Sequence, residues 1–591
     1  MTYSITIDTG GTFTDLVLAD ERTLRGLHKA LTTPDDPYAG ILAALGQAAR
    51  AEGLDVAALL ERTDTVVYAT THASNAILNL AQPYPDPYVP RSLSFELPER
   101  IASDGSVVQP LDEAATLRVI DRLRALRVEA VGVCLLWSIA NPSHEQRVGE
   151  LLASALPGIP VSLSCELNPN IREYRRASAA VIDASLKPLM RAHLQSIDQR
   201  LRALGFRGEP LMVTHMSGGV LGFGEMCEHP LHCVDSGPAL APVAGLVYAR
   251  AEAEVAASGV VGTSGGEMYA TIGERERRDV LVVDAGGTSV DISPTRDGRV
   301  VYSREKWLGP RWIGHMTGLP AVETKSIGAG GGSIARVDRD GLLCVGPESA
   351  GASPGPACYD RGGARATVTD AALLLGYLDP AYFLGGRMRL VPDLAREAIE
   401  GDVAKPLGLP IEAAATAVMA VFSESLRSFL SEMTILQGLD PRQCVLVAGG
   451  GAAGLNIVCV ARELRIDRIV IPTLAAGLSA VGGQFADLFS SFTRSVQTTT
   501  ANLDAGAIAR ALDELEATVE DFFDRVSQRG TQRRELVCEA RYANQLWEID
   551  VPLPWGWRGC DESERVELSR RFDRLHRALF SVEQPGEILE L

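Results

Sequence analysis

A short motif at the start of the chain recurs far downstream, and this repeat limits the folds that the chain can adopt. In the first copy a β-branched run ends at Asp8, a glycine pair turns the chain, and an apolar run leads on to Asp20. In the second copy, from Asp279 to Ser293, the same order returns around Asp284. Each copy predicts a tight β-hairpin with an aspartate at the end of its first strand. Two like hairpins predict two like lobes that face each other across a cleft.

The residue types in the two turns suit phosphate and a divalent cation. Glycine lets backbone N–H groups approach an anion without a Cβ in the way, and threonine adds a hydroxyl donor. An aspartate at the strand end can hold Mg²⁺ through water molecules, which this ion gives up reluctantly. Asp8 and Asp284 are therefore the candidate metal-binding and catalytic carboxylates. The candidate phosphate-binding residues are Thr9, Gly10, Gly11 and Thr12 in the first turn, and Gly286, Gly287 and Thr288 in the second. In the alternative interpretation the glycines serve only the turns.

A third glycine-rich turn follows the predicted strand Cys444 to Ala448 and runs into a helical pattern from Leu455 to Leu464. A strand, a glycine turn and a helix N-terminus form a site for a nucleotide's phosphate, or a close seat for its sugar and base. The candidates here are Gly449, Gly450, Gly451 and Asn456. The three turns, in this order, resemble the phosphate-1, phosphate-2 and adenosine motifs of the acetate kinase, sugar kinase, Hsp70 and actin superfamily. That resemblance implies ATP as the ligand.

Two further stretches carry candidates. The run Ser326 to Ala335 is the most glycine-dense of the chain, and a Gly/Pro-rich stretch follows from Val345 to Tyr359. Irregular backbone inside a folded domain predicts a functional loop, so Gly328, Gly330 and Gly331 are candidate nucleotide contacts; the alternative is a flexible surface loop. His72 lies in the donor-rich stretch Thr70 to Asn75, between a strand and a helix. It is a candidate catalytic residue, or else a group that caps the helix.

Composition narrows the functional class. A chain of 591 residues exceeds a single core and predicts about two to four domains. A net charge of -19 argues against nucleic acid or an anionic membrane as the main partner. No apolar run is long enough to span a bilayer, and the ten cysteines show no CxxC pairing. The cysteines are expected to be reduced thiols, and the first predicted strand begins at the start of the chain, which leaves no room for a signal peptide. Both features predict a cytoplasmic protein.

Several elements outside the motifs are also predicted. Buried strands are expected over 128–137 and 160–167, and a long amphipathic helix from Ile411 to Leu436. The pattern changes beyond Phe485 to an acidic helix, strands and a closing helix. The sequence thus predicts an N-terminal lobe over 1–230, an ATPase lobe over 231–500 and a C-terminal α+β segment over 501–591.

A narrower resemblance covers nearly the whole chain. The segments that carry it are Asp8-Thr-Gly-Gly-Thr-Phe-Thr-Asp15, Leu135-Leu-Trp-Ser-Ile-Ala-Asn-Pro-Ser-His-Glu145, Ser236-Gly-Pro-Ala239, Asp284-Ala-Gly-Gly-Thr-Ser-Val-Asp291, Ile327-Gly-Ala-Gly-Gly-Gly-Ser-Ile-Ala335, Val345-Gly-Pro-Glu-Ser-Ala-Gly-Ala352, Pro354-Gly-Pro-Ala-Cys-Tyr359 and Leu478-Ser-Ala480. They resemble the hydantoinase A family, which includes 5-oxoprolinase-like enzymes and one subunit type of acetone and acetophenone carboxylases.

The resemblance implies an α/β fold with two ribonuclease-H-like lobes around a nucleotide cleft. It also implies ATP-dependent chemistry with Mg²⁺, a small carbonyl substrate, and a hetero-oligomer with a hydantoinase B-type subunit. The expected reaction is phosphorylation of a lactam or imide carbonyl, which makes its oxygen a good leaving group for hydrolytic ring opening. One alternative is a ketone carboxylase subunit that activates bicarbonate or the enol. Another is a non-catalytic ATP-binding module.

Overall fold

A computed structural model of the protein describes residues 2–10, 13–20, 23–32, 36–70, 87–208, 211–258, 279–303, 306–309, 314–526, 531–559 and 561–591. Its contacts divide the chain into two compact units, each assembled from several segments. Unit 1 consists of Met1–Tyr84, Leu186–Gly314 and Leu319–Phe489, and unit 2 of Pro85–Ser185, His315–Gly318 and Ser490–Leu591. The division of the sequence at 230 and 500 stays a prediction.

The strands of the described residues are numbered in chain order. They are β1 Tyr3–Thr9, β2 Phe13–Asp20, β3 Leu24–Leu31, β4 Thr63–Thr70, β5 Arg100–Ile101, β6 Val107–Gln109, β7 Val131–Val133, β8 Val161–Leu163, β9 Met212–Thr214, β10 Val220–Gly222, β11 Val280–Ala285, β12 Val290–Arg296, β13 Arg299–Val300, β14 Tyr302–Ser303, β15 Trp307–Leu308, β16 His315–Met316, β17 Ala321–Val322, β18 Lys325–Ile327, β19 Ser333–Val337, β20 Leu343–Ser349, β21 Val445–Gly449, β22 Arg468–Val470, β23 Leu536–Tyr542, β24 Ile549–Leu553 and β25 Leu589–Glu590.

The α-helices of the same part of the chain are referred to by their bounds. They are Pro37–Ala51, Val56–Glu61, Glu113–Leu126, Ser143–Ala155, Ser164–Leu167, Glu173–Ala203, Phe223–Glu228, Ala241–Ser258, Val368–Leu374, Pro392–Ile399, Lys405–Leu407, Ile411–Leu436, Ile457–Glu463, Leu478–Phe485, Ala505–Arg525 and Glu562–Phe580. The long amphipathic helix thus begins and ends where the sequence predicts.

Unit 1 contains two sheets of the same topology. In the first sheet the order is β10-β9-β4-β1-β2-β3, and in the second it is β13-β12-β11-β21-β22, with β18 also paired to β12. In both, the first three strands are antiparallel neighbours in chain order. The next two strands then run parallel to the first strand of the sheet. This order of three, two, one, four, five is the ribonuclease-H arrangement, so the predicted fold class is confirmed.

The second sheet is buried on both faces, which explains the nearly unbroken apolar sequence of β11. Leu281 and Val283 pack into a core with helix Ile411–Leu436 and its buried Phe422. Val280 and Val282 point the other way, into a core with helices Ala241–Ser258 and Leu478–Phe485. A central strand covered on both faces cannot alternate apolar and polar residues in the manner of a half-exposed strand.

Helix Leu478–Phe485 follows the second sheet in sequence but lies against the first. A Cβ on Gly483 would lie 2.3 Å from Cγ2 of Thr6 on β1, and one on Gly482 would lie 2.1 Å from the Leu240 carbonyl oxygen. Only glycine permits such close approach of a helix to its neighbours. The helix therefore joins the two sheets of unit 1, with its N-terminus near the turn of the second.

Unit 2 contains a parallel pair, β7 and β8, with helices Glu113–Leu126 and Ser143–Ala155, and a C-terminal sheet of order β24-β23-β25. Helices Ala505–Arg525 and Glu562–Phe580 pack on that sheet through Leu512, Leu568 and Phe572. The C-terminal α+β segment is therefore confirmed.

Two strand predictions in unit 2 are wrong in length. β7 and β8 have three residues each, and the segment Ser164–Leu167 after β8 is helical. The buried carboxylate of Glu145 accounts for this, because it accepts the N–H groups of Leu135 (2.9 Å) and Cys165 (2.8 Å). Both N–H groups are thereby withdrawn from strand pairing. The glycine-rich segment after β18 is also more regular than predicted, because β19 and β20 form an antiparallel hairpin.

No single helix in the described ranges is long and apolar enough to cross a membrane. The stretch Pro392–Leu407 is helical throughout, because a π-helical turn at Glu400–Ala404 joins helices Pro392–Ile399 and Lys405–Leu407. This stretch and helix Ile411–Leu436 meet the length and composition criteria only as a pair, across a bend of 88°. Their inward side chains, such as Ile399, Val403 and Phe422, belong to the core around β11. Nine cysteines lie in the described part of the chain, and all are free thiols.

Candidate functional site

Each of the two repeated hairpins presents a pair of aspartates. Asp8 on β1 stands opposite Asp15 on β2, and Asp284 on β11 stands opposite Asp291 on β12. Residues directly opposite in antiparallel strands project on the same face of the sheet. The turns are built alike, because the N–H of Gly10 donates to the Phe13 carbonyl (3.0 Å) and that of Gly286 to the Ser289 carbonyl (2.9 Å). The sequence predicted one carboxylate for each hairpin, and the structure shows two.

The carboxylates of the two hairpins influence one another. Burial, with the negative charges of Asp15 and Asp284, raises the pKa of Asp8 to about 7. Burial likewise raises the pKa of Asp284 to about 6 and that of Asp291 to about 7. The structure therefore brings the predicted pair Asp8 and Asp284 together at one charged site. Among the described residues, Oδ1 of Asp8 is buried without a hydrogen-bond partner.

Two lysines that the sequence analysis missed lie at this site. Nζ of Lys29 on β3 is 2.8 Å from Asp15, and it also donates to the Ala476 carbonyl at 3.0 Å. Its positive charge lowers the pKa of Asp8, Asp15 and Asp284 against the effect of burial. Nζ of Lys306 is 2.8 Å from Asp235, and its charge opposes the raised pKa of Asp291. Each hairpin thus has one lysine that partly offsets its carboxylates.

Two motifs that carried the family resemblance reach the carboxylates. Ser479, in the Leu-Ser-Ala motif, donates a 2.9 Å hydrogen bond to Oδ2 of Asp284. A Cβ on Gly237, in the Ser-Gly-Pro-Ala motif, would lie 3.1 Å from Oδ1 of Asp8. Ser326 on β18 donates to Asp291 from the adjacent strand. Spacing in the sequence gives no indication of these contacts, because the partners lie in different elements.

The glycine-dense turn after β18 packs directly on the second hairpin turn. The N–H of Gly331 donates to the Gly286 carbonyl (3.1 Å), and that of Gly332 to the Gly287 carbonyl (2.7 Å). A Cβ on Gly330 would lie 2.7 Å from the Gly286 oxygen. The N–H of Gly330 also has a partner, Oγ of Ser333 at 2.7 Å. These glycines hold the second turn in place, and a direct phosphate contact through the N–H of Gly330 or Gly331 would require an exchange of these hydrogen bonds.

Gly328, in the same run, also approaches a neighbouring strand closely. A Cβ on Gly328 would lie 2.9 Å from Cβ of Pro347. Its role in nucleotide binding stays a prediction, and its packing against β20 already requires a glycine.

The glycines of the third turn divide into two kinds. Gly450 has a φ of +80°, and a Cβ on it would lie 2.2 Å from the Ala285 carbonyl oxygen at the end of β11. Gly449 is similarly crowded by Leu478, at 2.5 Å. In contrast, a Cβ on Gly451 or Gly454 would meet nothing within 4 Å. The first two glycines are required by packing, whereas the other two leave open space beside the end of β11.

Asn456 lies just before helix Ile457–Glu463 and is buried. Its Nδ2 donates to Oγ of Ser423 at 3.1 Å, and its Oδ1 has no hydrogen-bond partner in the described ranges. Thr9 is buried beside Asp8, and Thr288 is exposed on its turn. Gly11, Thr12 and His72 lie outside the described residues. The nucleotide-binding roles of the predicted residues stay predictions.

Comparison with known proteins identifies the family. A family model described as hydantoinase/oxoprolinase matches residues 176–266 and 248–491, and the model of its N-terminal region matches 4–84 and 77–156. The chain belongs to the hydantoinase/oxoprolinase family. The alpha subunit of caprolactamase from Pseudomonas jessenii is 34% identical over 100% of this chain and 86% of that protein. The acetophenone carboxylase gamma subunit of Aromatoleum aromaticum is 33% identical over 83% of this chain and 69% of that protein.

Solved structures agree with this assignment. The crystal structure of the ATP-dependent caprolactamase from Pseudomonas jessenii matches with a TM-score of 0.79 at 33% identity, over 99% of this chain and 86% of that one. The nucleotide-free structure of acetone carboxylase matches with a TM-score of 0.75 at 24% identity, over 99% of this chain and 87% of that one. The second likeness supports the fold. The relatives of this hydantoinase/oxoprolinase chain include proteins named as alpha, beta and gamma subunits of larger enzymes.

Proposed function

We propose that this chain is the ATP-dependent subunit of an enzyme that opens a cyclic amide, a lactam or imide, by phosphorylating its carbonyl oxygen. The observation that carries the proposal is the pair of matched hairpins, each of which places two aspartates in register beside a Gly-Gly-Thr turn. Phosphoryl transfer depends on positioning and charge neutralisation more than on covalent help from the protein. A site with several carboxylates, two lysines and two glycine turns can position the phosphates and neutralise their charge.

ATP and Mg²⁺ fit the groups that the structure leaves unsatisfied. Oδ1 of Asp8 and Oδ1 of Asn456 are buried without partners, and the space beside Gly451 is open. No three carboxylate, imidazole or thiol groups among the described residues are arranged to chelate a metal directly. Mg²⁺ would therefore be held by Asp8 and Asp284 through water, together with phosphate oxygens. Bound there, Mg²⁺ would neutralise phosphate charge and favour the ionised form of both aspartates.

The proposed reaction proceeds in balanced steps. The lactam carbonyl oxygen attacks the γ-phosphorus, and the bond from that phosphorus to the β-bridging oxygen breaks to release ADP. Water then adds to the activated carbon and gives up one proton. The C–N bond then breaks as the ring nitrogen takes the remaining proton of the added hydroxyl, which leaves an acyl phosphate. A second water attacks the carbonyl carbon of the acyl phosphate, so the C–O bond breaks, the carboxylate forms, and the original carbonyl oxygen leaves in inorganic phosphate.

A second candidate function is ketone carboxylation, in which ATP activates bicarbonate or the enol. The observation that favours it is the 33% identity to an acetophenone carboxylase gamma subunit. We place ring opening first because the caprolactamase relative aligns over the whole chain at 34% identity.

We further propose that the chain works in a hetero-oligomer with a hydantoinase B-type subunit. The subunit names of the relatives support this assembly. Alone, the chain is expected to hydrolyse ATP slowly or not at all. Full substrate turnover by the purified single chain would refute the need for a partner.

The experiment that tests the function supplies candidate substrates to the reconstituted complex and measures ADP release. Hydantoin, 5-oxoproline, a larger lactam, and a ketone with bicarbonate cover the candidate classes. ADP release with a cyclic amide is the expected result, whereas release only with ketone and bicarbonate would establish the carboxylase. No substrate-stimulated release with any of them would refute both reactions and favour a non-catalytic ATP-binding module.

A further inference from the structure

Three histidines lie together just beyond β9 in unit 1, and neither the carboxylate site nor the glycine turns use them. His215 follows β9 directly, His229 immediately precedes the short 3₁₀ helix Pro230–Cys233, and His232 lies within that helix. The rings of His215 and His232 are stacked, with centroids 4.3 Å apart and planes inclined by 23°. His229 meets His232 edge to face at 6.3 Å. We call these three residues the histidine cluster.

Hydrogen bonds fix the ring orientation of His215, which thereby serves as the platform of this cluster. Its Nδ1 accepts hydrogen bonds from both the hydroxyl (2.5 Å) and the N–H (3.1 Å) of Ser217. Because Nδ1 accepts the backbone N–H, the ring proton of a neutral His215 is on Nε2. The N–H of Met216 also donates to the His232 carbonyl at 2.8 Å, which ties the loop after β9 to the 3₁₀ helix.

The other two imidazoles are incompletely satisfied. Nδ1 of His229 and Nδ1 of His232 are buried, and neither has a hydrogen-bond partner in the described part of the chain. Burial, together with the neighbouring histidines, lowers the pKa of His232 well below its ordinary value. A neutral imidazole offers one N–H donor and one acceptor nitrogen. Since a buried polar atom without a partner is unfavourable, a ligand that pairs with these nitrogens gains affinity.

The histidine cluster lies at the same edge of the first sheet as Asp8. β1, β4 and β9 are parallel, so His215 and Asp8 both lie at carboxyl ends of strands. The hydroxyls of Thr214 and Ser236 are 3.0 Å apart, and Ser236 precedes Gly237, whose Cα faces the Asp8 carboxylate. The carboxyl edge of an α/β sheet is where ligands commonly bind.

We propose that His229 and His232 bind the amide group of the phosphoryl acceptor, with His215 as the platform that orients them. The inference rests on the proposed function, since it identifies the acceptor as a cyclic amide. A lactam holds its carbonyl oxygen and its N–H on the same side of the ring. One neutral imidazole can donate to that oxygen while the other accepts the N–H. A ketone or an N-methylated lactam has no such hydrogen to donate.

The specificity follows from the same chemistry. A site built to pair with a substrate N–H rejects an analogue that lacks it, because the protein acceptor is then left buried and unpaired. The histidine cluster should therefore favour a lactam over its N-methyl analogue by about tenfold or more. Replacing either histidine by phenylalanine should remove that preference.

The test uses the full chain and its complex with the partner subunit. The variants are His232→Phe, which keeps an aromatic ring to stack on His215, and His229→Phe. His28→Gln is the matched control, because His28 is a half-buried histidine on β3, outside the cluster. Binding of caprolactam and of N-methylcaprolactam to the full chain is measured by saturation-transfer NMR. The KM for caprolactam in ADP release and the affinity for Mg-ATP are measured on the complex.

The expected result is that the wild-type chain binds caprolactam about tenfold or more tightly than its N-methyl analogue, and that the KM for caprolactam is about tenfold or more higher in both phenylalanine variants. ATP affinity should stay unchanged in these variants, and every parameter should stay unchanged in His28→Gln.

Unchanged KM and unchanged discrimination in a folded phenylalanine variant would overturn the proposal while the ring-opening function stands. Equal binding of the two lactams by the wild-type chain, or no binding of either, would also overturn it. Caprolactam that binds selectively and never stimulates ADP release would instead refute the proposed function. If His232→Phe fails to fold by circular dichroism, His229→Phe and the N-methyl comparison decide the matter.

Discussion

The hydroxyl of Ser479 lies 2.9 Å from Oδ2 of Asp284 and donates a hydrogen bond to it. Ser479 belongs to helix Leu478–Phe485, which packs on β1 through the close contact of Gly483 with Thr6. Asp284 belongs to the second sheet. One short helix thus packs on the first hairpin and bonds the carboxylate of the second, so the two halves of the site are positioned relative to each other.

The first prediction concerns this hydrogen bond. Burial raises the pKa of Asp284 to about 6, and the hydrogen bond from Ser479 opposes this rise. In Ser479→Ala the pKa rises further, so the ionised fraction falls most near pH 6 and little at pH 8. We expect the affinity for Mg-ATP, measured by calorimetry, to fall several-fold at pH 6 and much less at pH 8. Ser425→Ala, which removes a helix-internal hydroxyl, is the control. An equal loss at both pH values would contradict the account.

The second prediction concerns the pair of Lys29 and Asp15, whose side chains are only 13% and 15% exposed. Removing one partner leaves a largely buried charge without compensation, so Lys29→Met should destabilise the protein by about 3 kcal/mol. The double variant Lys29→Met/Asp15→Asn should regain most of this loss. Urea unfolding of the wild type, the single variant and the double variant measures these changes in the free energy of unfolding. The control is Lys325→Met, which breaks the more exposed pair of Lys325 and Glu432 and should change stability by less than about 1 kcal/mol. A double variant no more stable than Lys29→Met would count against the buried-pair interpretation.

The third prediction links activity to stability at Asp8. Asp8→Asn and Asp284→Asn should each abolish ATP-dependent turnover with the fold intact. The folded-state pKa of Asp8 is raised from 3.8 to about 7, so its ionisation opposes folding. This loss of stability grows as pH rises from about 4 and is complete above about 7.

Asp8→Asn should therefore be more stable than the wild type at pH 8, by on the order of 1 kcal/mol or more, without nucleotide. The difference should disappear near pH 4. Thermal unfolding at several pH values measures it, with exposed Asp64→Asn as the control. Near-normal ATP hydrolysis in both site variants, or an Asp8→Asn variant less stable at pH 8, would be incompatible with the assigned site.

The fourth prediction separates the two kinds of glycine in the third turn. Gly451→Val has room for its side chain and should fold normally, yet it should weaken ATP binding about tenfold or more because the branch occupies the space assigned to the nucleotide. Gly450→Ala should instead destabilise the fold, since φ is +80° and the new Cβ would lie 2.2 Å from the Ala285 oxygen. Calorimetry and thermal unfolding of both variants distinguish these effects. A folded Gly451→Val variant with wild-type ATP affinity would refute the adenosine-site assignment.

The sequence was sufficient to predict the two hairpins and the repeated fold. The positions of Asp8 and Asp284 followed from local patterns, because an apolar strand, an aspartate and a glycine turn are neighbours along the chain. The helix Ile411–Leu436 followed from its periodicity over many turns. Both kinds of prediction use only short-range order, and both are confirmed as elements of the structure.

The rest of the site depends on contacts that no local pattern encodes. Lys29 reaches the Ala476 carbonyl and Ser479 reaches Asp284, and each pair is far apart in sequence. The positive φ of Gly450 and its close contact with Ala285 show a packing requirement that the glycine-rich sequence does not reveal, and its role in nucleotide binding stays a prediction. The strand predicted over 160–167 was too long because Glu145, on a separate helix, takes the N–H of Cys165.

An isotope label can follow the carbonyl oxygen of the substrate through the proposed phosphorylation. A lactam labelled with ¹⁸O in its carbonyl is supplied with ATP to the reconstituted complex, and the inorganic phosphate released is analysed by mass spectrometry. If the protein phosphorylates the carbonyl oxygen, each ring opened releases one ADP and one phosphate that carries the label, and Asp8→Asn and Asp284→Asn release neither. Ring opening with unlabelled phosphate, or ring opening that proceeds without ADP release, would show that the carbonyl oxygen is not phosphorylated.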